Sequence, residues 1–251
     1  MTTLVPAATR RIARPWPALG IGGGVMVWIT LVLLVDTDSS LAVQRLSGLA
    51  TWGVLVLVLA RESVLVRVQT AVVVAFATAV EYTFSPLLEV YTYRFDNVPL
   101  YVPPGHGLVY LATLVVGRTA WVQARERLLT AVVLVVGGGY AAYGVTIADR
   151  TDVLGAFWFL CLVGFLLWGP SRGLYIGAFV VVTYLEIVGT ALGTWTWQTH
   201  DPTGLVPIGN PPSGAAGGYG WFDLVAILTA PGLIRWWWRV SPRGPAADHA
   251  G

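Results

Sequence analysis

The 251-residue sequence is 56% hydrophobic and only 11% charged, and its formal net charge is +2. A soluble domain carries about 25% charged residues, so this composition excludes an ordinary soluble protein and predicts one embedded in a lipid bilayer. No basic stripe interleaved with aromatic residues occurs outside the membrane-flanking segments, which excludes a nucleic-acid partner. The single cysteine, Cys161, lies in an apolar run, so neither an intramolecular disulfide nor a cysteine-based metal cluster is expected.

Eight stretches of the chain are long and apolar enough to be spanning helices, and each is bounded by Arg, Asp, Pro or Gly. We therefore expect an all-α fold, a polytopic membrane bundle of about eight transmembrane helices. In chain order the predicted spans are 17–35, 41–60, 70–90, 106–123, 128–148, 153–170, 174–194 and 220–238.

The arginines are distributed unevenly between the segments that connect these spans. With a cytoplasmic N-terminus, only Arg45, Arg94 and Arg150 fall outside. The inside segments then hold Arg10, Arg11, Arg14, Arg61, Arg67, Arg118, Arg125, Arg127, Arg172, Arg235, Arg239 and Arg243. Under the positive-inside rule, this predicts a multi-pass protein of the bacterial inner membrane whose two tails, 1–16 and 239–251, are both cytoplasmic.

Two segments on the expected outer face resemble each other. Residues 91–105 read YTYRFDNVPLYVPPG and residues 195–219 read WTWQTHDPTGLVPIGNPPSGAAGGY, and both are rich in Pro, Gly and aromatic residues. The helix entries that belong to them, GHGLVYLAT at 105–113 and GYGWFDLVA at 218–226, align without gaps. The order of features is therefore the same in the two halves of the chain.

This likeness predicts a parallel internal repeat of four plus four helices, over 17–123 and 128–238, related by an axis along the membrane normal. A site is then expected between the halves. The residues that the alignment pairs are Glu81 with Glu186, His106 with Tyr219, and Tyr110 with Asp223. His106 thus lies at the outer end of the fourth span. In both repeats this position holds an aromatic ring with a polar atom at its edge.

Several ionisable residues fall inside the predicted spans. Glu81 and Glu186 lie about eleven and twelve residues into their spans, at mid-depth or in the outer half. A carboxylate in hydrocarbon costs a few kcal/mol or takes up a proton, so such residues are functional candidates. The candidate catalytic residues are Glu81, Glu186, Asp223 and His106. In the structural alternative, the two glutamates are neutral acids whose hydrogen bonds hold the halves together.

Aromatic residues are the second signal, with 12 tryptophans and 10 tyrosines. Some of them fit an ordinary interfacial belt. Aromatic faces beside protonatable carboxyls would also stabilise a carbocation and keep water away from it. The candidate substrate-binding residues are Tyr91, Tyr93, Tyr110, Trp195, Trp197, Tyr219 and Trp221, together with Glu89 and Asn210. For Glu89, as for Asp96 and Asp201, a hydrated interface charge is the simpler interpretation.

The segment EIVGTALGTWTW, residues 186–197, resembles the Glu, Gly-Thr, Gly, aromatic-x-aromatic segment of the integral-membrane carotenoid-biosynthesis hydratases. In those proteins, as here in LVPIG, a valine-proline segment follows, and a fainter echo covers residues 81–99. The present chain is shorter between the glycine and the aromatic residues, and its NPPSGAAGGY has no counterpart. The resemblance implies a cofactor-free, acid-catalysed addition of water to an isoprenoid double bond, with Glu186 as the residue carried over.

Three functions fit these features. The first is a cofactor-independent lyase or isomerase that takes a lipophilic, isoprenoid or carotenoid-like substrate from the bilayer. In it, Glu186 or Glu81 protonates an alkene, while Asp223 or His106 accepts a proton or positions water. Hydration, cyclisation and isomerisation share this chemistry. The second function is a proton-coupled transporter, and the third is a non-catalytic membrane assembly subunit.

Cofactors and metals are not expected. No two histidines share a membrane face, no Gly-rich phosphate loop follows a strand, and no aspartate-rich motif for magnesium-diphosphate is visible. The expected partners are the lipid bilayer and a lipophilic small molecule, and the sequence sets no oligomeric state.

Overall fold

The computed structural model describes residues 18–241, with side-chain surroundings from residue 20 onwards. Most of both predicted tails, with Arg10, Arg11, Arg14 and Arg243, therefore lies outside the described residues. The α-helices of the described part are α1 (Ala18–Asp38), α2 (Leu41–Leu59), α3 (Val64–Tyr82), α4 (Val102–Gly117), α5 (Ala120–Ala124), α6 (Glu126–Thr146), α7 (Val153–Trp168), α8 (Arg172–Ala191) and α9 (Ala215–Val240). A π-helical turn (Thr83–Leu87) and two short strands, β1 (Tyr91–Tyr93) and β2 (Trp195–Trp197), complete the list.

Each of the eight predicted stretches overlaps an α-helix of the described part, but 70–90 extends from α3 through the π-turn and 106–123 covers parts of both α4 and α5. Five helices of the described part are long and apolar enough to cross a membrane: α1, α2, α3 with its π-turn, α6 and α8. Two more apolar helices, α4 and α7, have 16 residues each. The chain therefore has the helical bundle and the several long apolar helices that the composition predicts for a membrane protein.

Four helices form a closed ring at the centre of the bundle. Helix α3 packs on α4 and α9, and α8 packs on the same two helices. Helices α1 and α2 flank α4, whereas α6 and α7 flank α8 and α9. Glycine permits the closest approach: a Cβ on Gly117 would lie 2.3 Å from the carbonyl oxygen of Gly173 on α8, and one on Gly177 would lie 2.7 Å from that of Thr113. Such small residues let helix backbones meet where lipid provides no hydrophobic driving force.

Two short strands accompany the predicted helical bundle. Residues 91–105 and 195–219 were expected to be loops, but each begins with a strand, and the two strands pair antiparallel with Tyr91 opposite Trp197 and Tyr93 opposite Trp195. Aromatic and β-branched residues in alternation favour a strand. A run of only three residues is too short to predict one from periodicity, and the partner strand lies about a hundred residues away in the chain. We call this pair of strands the ladder.

The helix ends next to the ladder also differ from prediction. Helix α4 begins at Val102 instead of residue 106, because Pro103 and Pro104 fit into its first turn. Backbone N–H groups in the first turn of a helix have no partner within the helix, so the missing N–H of proline costs nothing there. Helix α3 ends at Tyr82 and continues only as the π-turn. Glu81 consequently lies in the last turn of α3, at its ladder end.

Candidate active site

The ladder aligns four buried aromatic rings. Alternate residues of a strand point to the same face, so Tyr91 and Tyr93 project together, as do Trp195 and Trp197. Across the ladder, the rings of Tyr91 and Trp197 have centroids 4.5 Å apart, and those of Tyr93 and Trp195 lie 6.2 Å apart. The polar atoms of these rings are directed at the two glutamates of the adjoining helices.

Glu81 accepts hydrogen bonds from three side chains. The hydroxyls of Tyr91 and Tyr93 both donate to Oε2, each at 2.8 Å. His106 Nε2 donates to Oε1, also at 2.8 Å. Burial, and then the neighbouring Glu81 carboxylate, hold the pKa of Tyr91 and of Tyr93 well above the usual value, so both remain protonated donors. Both carboxylate oxygens of Glu81 therefore have hydrogen-bond donors.

Glu186 has a different environment. The indole Nε1 atoms of Trp195 and Trp197 both donate to Oε2, each at 3.1 Å. Oε1 accepts no hydrogen bond from the residues that the structure describes. Gly189, one turn further along α8, leaves space for the Trp195 ring, since a Cβ there would lie 1.8 Å from Cη2 of that ring. This glycine serves ring placement as well as helix packing.

Both glutamates line a single cavity of about 300 Å³ between the two halves of the chain. Apart from Glu81, Glu186 and His106, its wall is almost entirely apolar or aromatic. The wall residues from the ladder and α9 include Tyr91, Tyr93, Trp195, Trp197, Tyr219 and Trp221; those from α1 and α3 include Trp28, Ile29, Phe76 and Val80. The arrangement therefore sets two carboxyls and an imidazole against an oily ligand space.

His106 connects the two halves across this cavity. Its ring stacks on that of Tyr219 with centroids 5.0 Å apart and meets the edge of Phe222 at 5.4 Å. Nε2 binds Glu81, while Nδ1 has no hydrogen-bond partner in the described part of the chain. The residue pair that the sequence alignment superposes, His106 and Tyr219, is thus a stacked pair in the fold.

Four candidate residues do not reach the cavity. Asp223 and Tyr110 are buried one helical turn further from the ladder than Tyr219 and His106, below the cavity lining. Glu89 is exposed in a turn with φ 51°. Asn210 is also exposed, and its Oδ1 accepts a hydrogen bond from the backbone N–H of Trp197 at 3.1 Å. None of these four side chains lines the cavity, and the catalytic role of Asp223 and the binding roles of the other three stay predictions.

The carboxyl of Asp36, in the last turn of α1, is almost fully buried and anchors residues 91–105, the segment that begins with β1. It accepts hydrogen bonds from the Tyr101 hydroxyl at 2.9 Å and from Gln44 Nε2 at 3.0 Å. Arg94 forms an ion pair with it at 3.5 Å. The sequence around Asp36 gives no signal of this role, because the residues that bind its carboxyl lie on other elements.

Asp152 anchors residues 195–219, the segment that begins with β2, in a similar way. Its carboxyl accepts hydrogen bonds from the backbone N–H groups of Gly209 at 2.9 Å and Ser213 at 2.6 Å, besides capping α7 at Gly155. Arg150 donates to the carbonyl oxygens of Ile208 and Trp197. Residues 91–105 and residues 195–219 are therefore each fixed to the helices by a buried aspartate and a nearby arginine.

No group of three or more His, Cys, Asp or Glu side chains within the described residues is placed to hold a metal ion. The chemistry available at the cavity is that of two carboxyls, an imidazole, two phenols and two indoles. In comparisons with known proteins, no family model, no curated protein and no solved structure matches the chain significantly.

Proposed function

We propose that the protein is a membrane-embedded acid–base enzyme that protonates a carbon–carbon double bond of a lipophilic, isoprenoid-type substrate. One observation carries the proposal: Glu81 and Glu186 lie on the wall of the same apolar cavity but have unequal hydrogen-bond partners. Two carboxyls in contrasting environments are what an acid and a base require.

Glu186 is the proposed acid. A buried carboxyl without a neighbouring cation avoids the cost of its charge by carrying a proton. The indoles of Trp195 and Trp197 occupy Oε2, so the proton belongs on Oε1, which no described residue contacts. From there it can reach a double bond in the cavity.

Glu81 with His106 is the proposed base. Two phenols and an imidazole donate to this carboxylate, which favours its charged form and keeps the imidazole close to the cavity. Transfer of the Glu186 proton to one alkene carbon uses the π electron pair to form a C–H bond and leaves a cation on the other carbon. Loss of a neighbouring proton to the Glu81–His106 pair then forms a new double bond, or water adds first and the pair removes the proton from it.

The aromatic wall suits the intermediate cation. Faces of Trp195, Trp197 and Tyr219 border the cavity, and such rings attract a positive charge most strongly where water is absent. Simple alkenes are hydrophobic, so the cavity wall matches the substrate before as well as after proton transfer. A polar or charged substrate would find few partners there.

The size of the cavity limits how much of the substrate it holds. A volume of about 300 Å³ takes on the order of ten water-sized groups, at about 30 Å³ each. That corresponds to roughly two isoprene units. The rest of a longer chain would extend from the cavity into the bilayer.

The parallel repeat belongs to the same proposal. Exchanging the halves maps the contact of α3 with α9 onto the contact of α8 with α4, and it maps the ladder onto itself about the pair Thr92 and Thr196. Glu81 then corresponds to Glu186. We further propose eight spans in a bacterial inner membrane, with both termini in the cytoplasm, on the basis of the arginine distribution.

Deuterium transfer tests the function. Membranes containing the protein are incubated in D₂O with a panel of acyclic isoprenoids of different length: geranylgeraniol, squalene and lycopene. Protonation of carbon by an exchangeable acid places deuterium on carbon, which mass spectrometry detects. Glu186→Gln should abolish incorporation, while Glu126→Gln, a matched change at a glutamate of α6 outside the cavity, should leave it intact. Incorporation into no member of the panel, or equal incorporation in Glu186→Gln, contradicts the proposal.

A further inference from the structure

A second polar cluster lies inside the helix ring, further from the ladder than the cavity. Asp223 on α9, Tyr110 on α4 and Tyr175 on α8 are each 5% exposed or less. Asp223 interacts electrostatically with both tyrosines, and the tyrosines interact with each other. The three residues come from three different helices of the ring, so the cluster lies towards its centre.

No direct hydrogen bond satisfies this cluster. The hydroxyls of Tyr110 and Tyr175 are buried and have no partner among the described residues, and none of those residues donates to Asp223. A buried polar group left without a partner is energetically unfavourable. The two hydroxyls and the carboxyl are thus buried within electrostatic range of one another without a direct hydrogen bond, and water is the usual partner of buried polar groups left in this way.

The cluster also lies between two further polar groups. His106 is one turn nearer the ladder than Tyr110 on the same helix face, and its Nδ1 is buried without a partner. Arg118, exposed at the opposite end of α4, interacts electrostatically with Tyr110. Polar groups therefore continue along α4 from the cavity to the end of the bundle that is remote from the ladder.

We infer that Asp223, Tyr110 and Tyr175 enclose an internal water-binding site that passes protons between His106 and the Arg118 end of the bundle. Water accepts a proton from one hydroxyl or carboxyl and donates another to the next group, so protons move without any net change in the cluster. The inference does not depend on the alkene chemistry, because proton access would serve any reaction or transport at the Glu81–His106 pair.

Infrared spectroscopy of the purified protein in lipid tests this site without a substrate. The C=O stretch of protonated Asp223 is identified as the band that Asp223→Asn removes. On transfer to D₂O this band should shift within the mixing time in the wild type. Tyr110→Phe and Tyr175→Phe should slow the shift by about tenfold or more, since each removes a hydroxyl that binds the water.

Tyr143→Phe is the matched control, because Tyr143 is half exposed on α6 and lies outside the cluster. Its exchange rate should equal that of the wild type. The inference would be overturned if the Asp223 band in D₂O kept the frequency that it has in H₂O until the protein unfolds. So would equal exchange rates in all three tyrosine variants, or the absence of any band that depends on Asp223. These results leave the deuterium-transfer test unaffected, so the two proposals fail separately.

Discussion

The Tyr91 hydroxyl binds Glu81, and the same ring lies 4.5 Å from the ring of Trp197, whose indole N–H binds Glu186. One pair of facing rings thus connects the two buried carboxyls across the ladder. The hydrogen bonds to each carboxyl depend on ladder register, because a shift of one strand by one residue would turn its two rings to the opposite face. The ladder, although only three residues long on each side, therefore determines the geometry of the candidate site.

Removing a single ring donor should disturb one carboxyl. Trp197→Phe keeps an aromatic ring in the ladder but deletes the N–H that donates to Glu186 Oε2. We expect a loss of about 1–3 kcal/mol in the free energy of unfolding, since a buried acceptor loses one of its two donors. Thermal unfolding in detergent measures the effect.

Trp168→Phe is the control for that experiment, because Trp168 is 81% exposed at the end of α7. It should change the unfolding free energy by no more than about 0.5 kcal/mol, as surface substitutions do. Equal destabilisation by the two substitutions would mean that the indole N–H bond to Glu186 contributes nothing specific.

Gly189 should be intolerant of even a methyl group. A Cβ at this position would lie 1.8 Å from the Trp195 ring, so Gly189→Ala must displace that ring and, with it, a donor to Glu186. We expect destabilisation of about 1–3 kcal/mol, typical of overpacking. Gly139→Ala on α6, where a Cβ meets nothing within 4 Å, should be neutral or slightly stabilising. If Gly189→Ala has the same tryptophan fluorescence and the same free energy of unfolding as the wild type, the tight placement of Trp195 is contradicted.

The sequence predicts the helices well for a clear physical reason. A spanning helix requires about 20 apolar residues whatever its tertiary contacts, so composition alone locates it. The errors occur at helix ends: α3 begins at Val64, not residue 70, and α4 begins at Val102, not residue 106. At these ends capping and proline placement, not hydrophobicity, determine the boundary.

The site was only partly predictable. The duplicated pattern marks Glu81 and Glu186, and both line one cavity. Their donors could not be assigned, because the phenols and indoles are aligned by a ladder that joins distant segments. Asp223 and Tyr110 share helix faces with Tyr219 and His106, which made them candidates, but the cavity ends one turn before them. Packing between the helices determines how far the cavity extends along each helix axis, and this extent cannot be predicted from the spacing of residues in the sequence.

Asp152 should control the order of the second ladder segment. Asp152→Ala removes the acceptor for the backbone N–H groups of Gly209 and Ser213. We expect hydrogen–deuterium exchange at these amides to rise by about tenfold or more, because each loses a charge-assisted hydrogen bond worth about 1.5–3 kcal/mol. Asp149→Ala, at an exposed position nearby, should leave the exchange unchanged. Unaltered exchange in Asp152→Ala would show that the other hydrogen bonds of the segment, including those from Arg150, hold it without Asp152.

Asp201 should make the exposed turn that follows it sensitive to acid. The backbone N–H of Val206, and then the Thr203 hydroxyl, donate to its carboxylate and hold its pKa below the usual value. A carboxyl with a lowered pKa in the folded state stabilises that state fully above its unfolded pKa, and the contribution disappears as the pH falls through the folded pKa. Amide exchange at Val206, corrected for the intrinsic effect of pH, should therefore increase on acidification below the ordinary range for aspartate.

Asp201→Asn is the decisive variant for this turn, because the amide keeps one acceptor oxygen but cannot ionise. Its corrected exchange at Val206 should be faster than that of the wild type near neutral pH and should not change further in acid. The two proteins should converge once the wild-type carboxyl is protonated, since neither then carries a charge to attract the donors. A wild-type turn whose exchange is flat across the acidic range would show that the geometry of the turn, and not the charge of Asp201, fixes it.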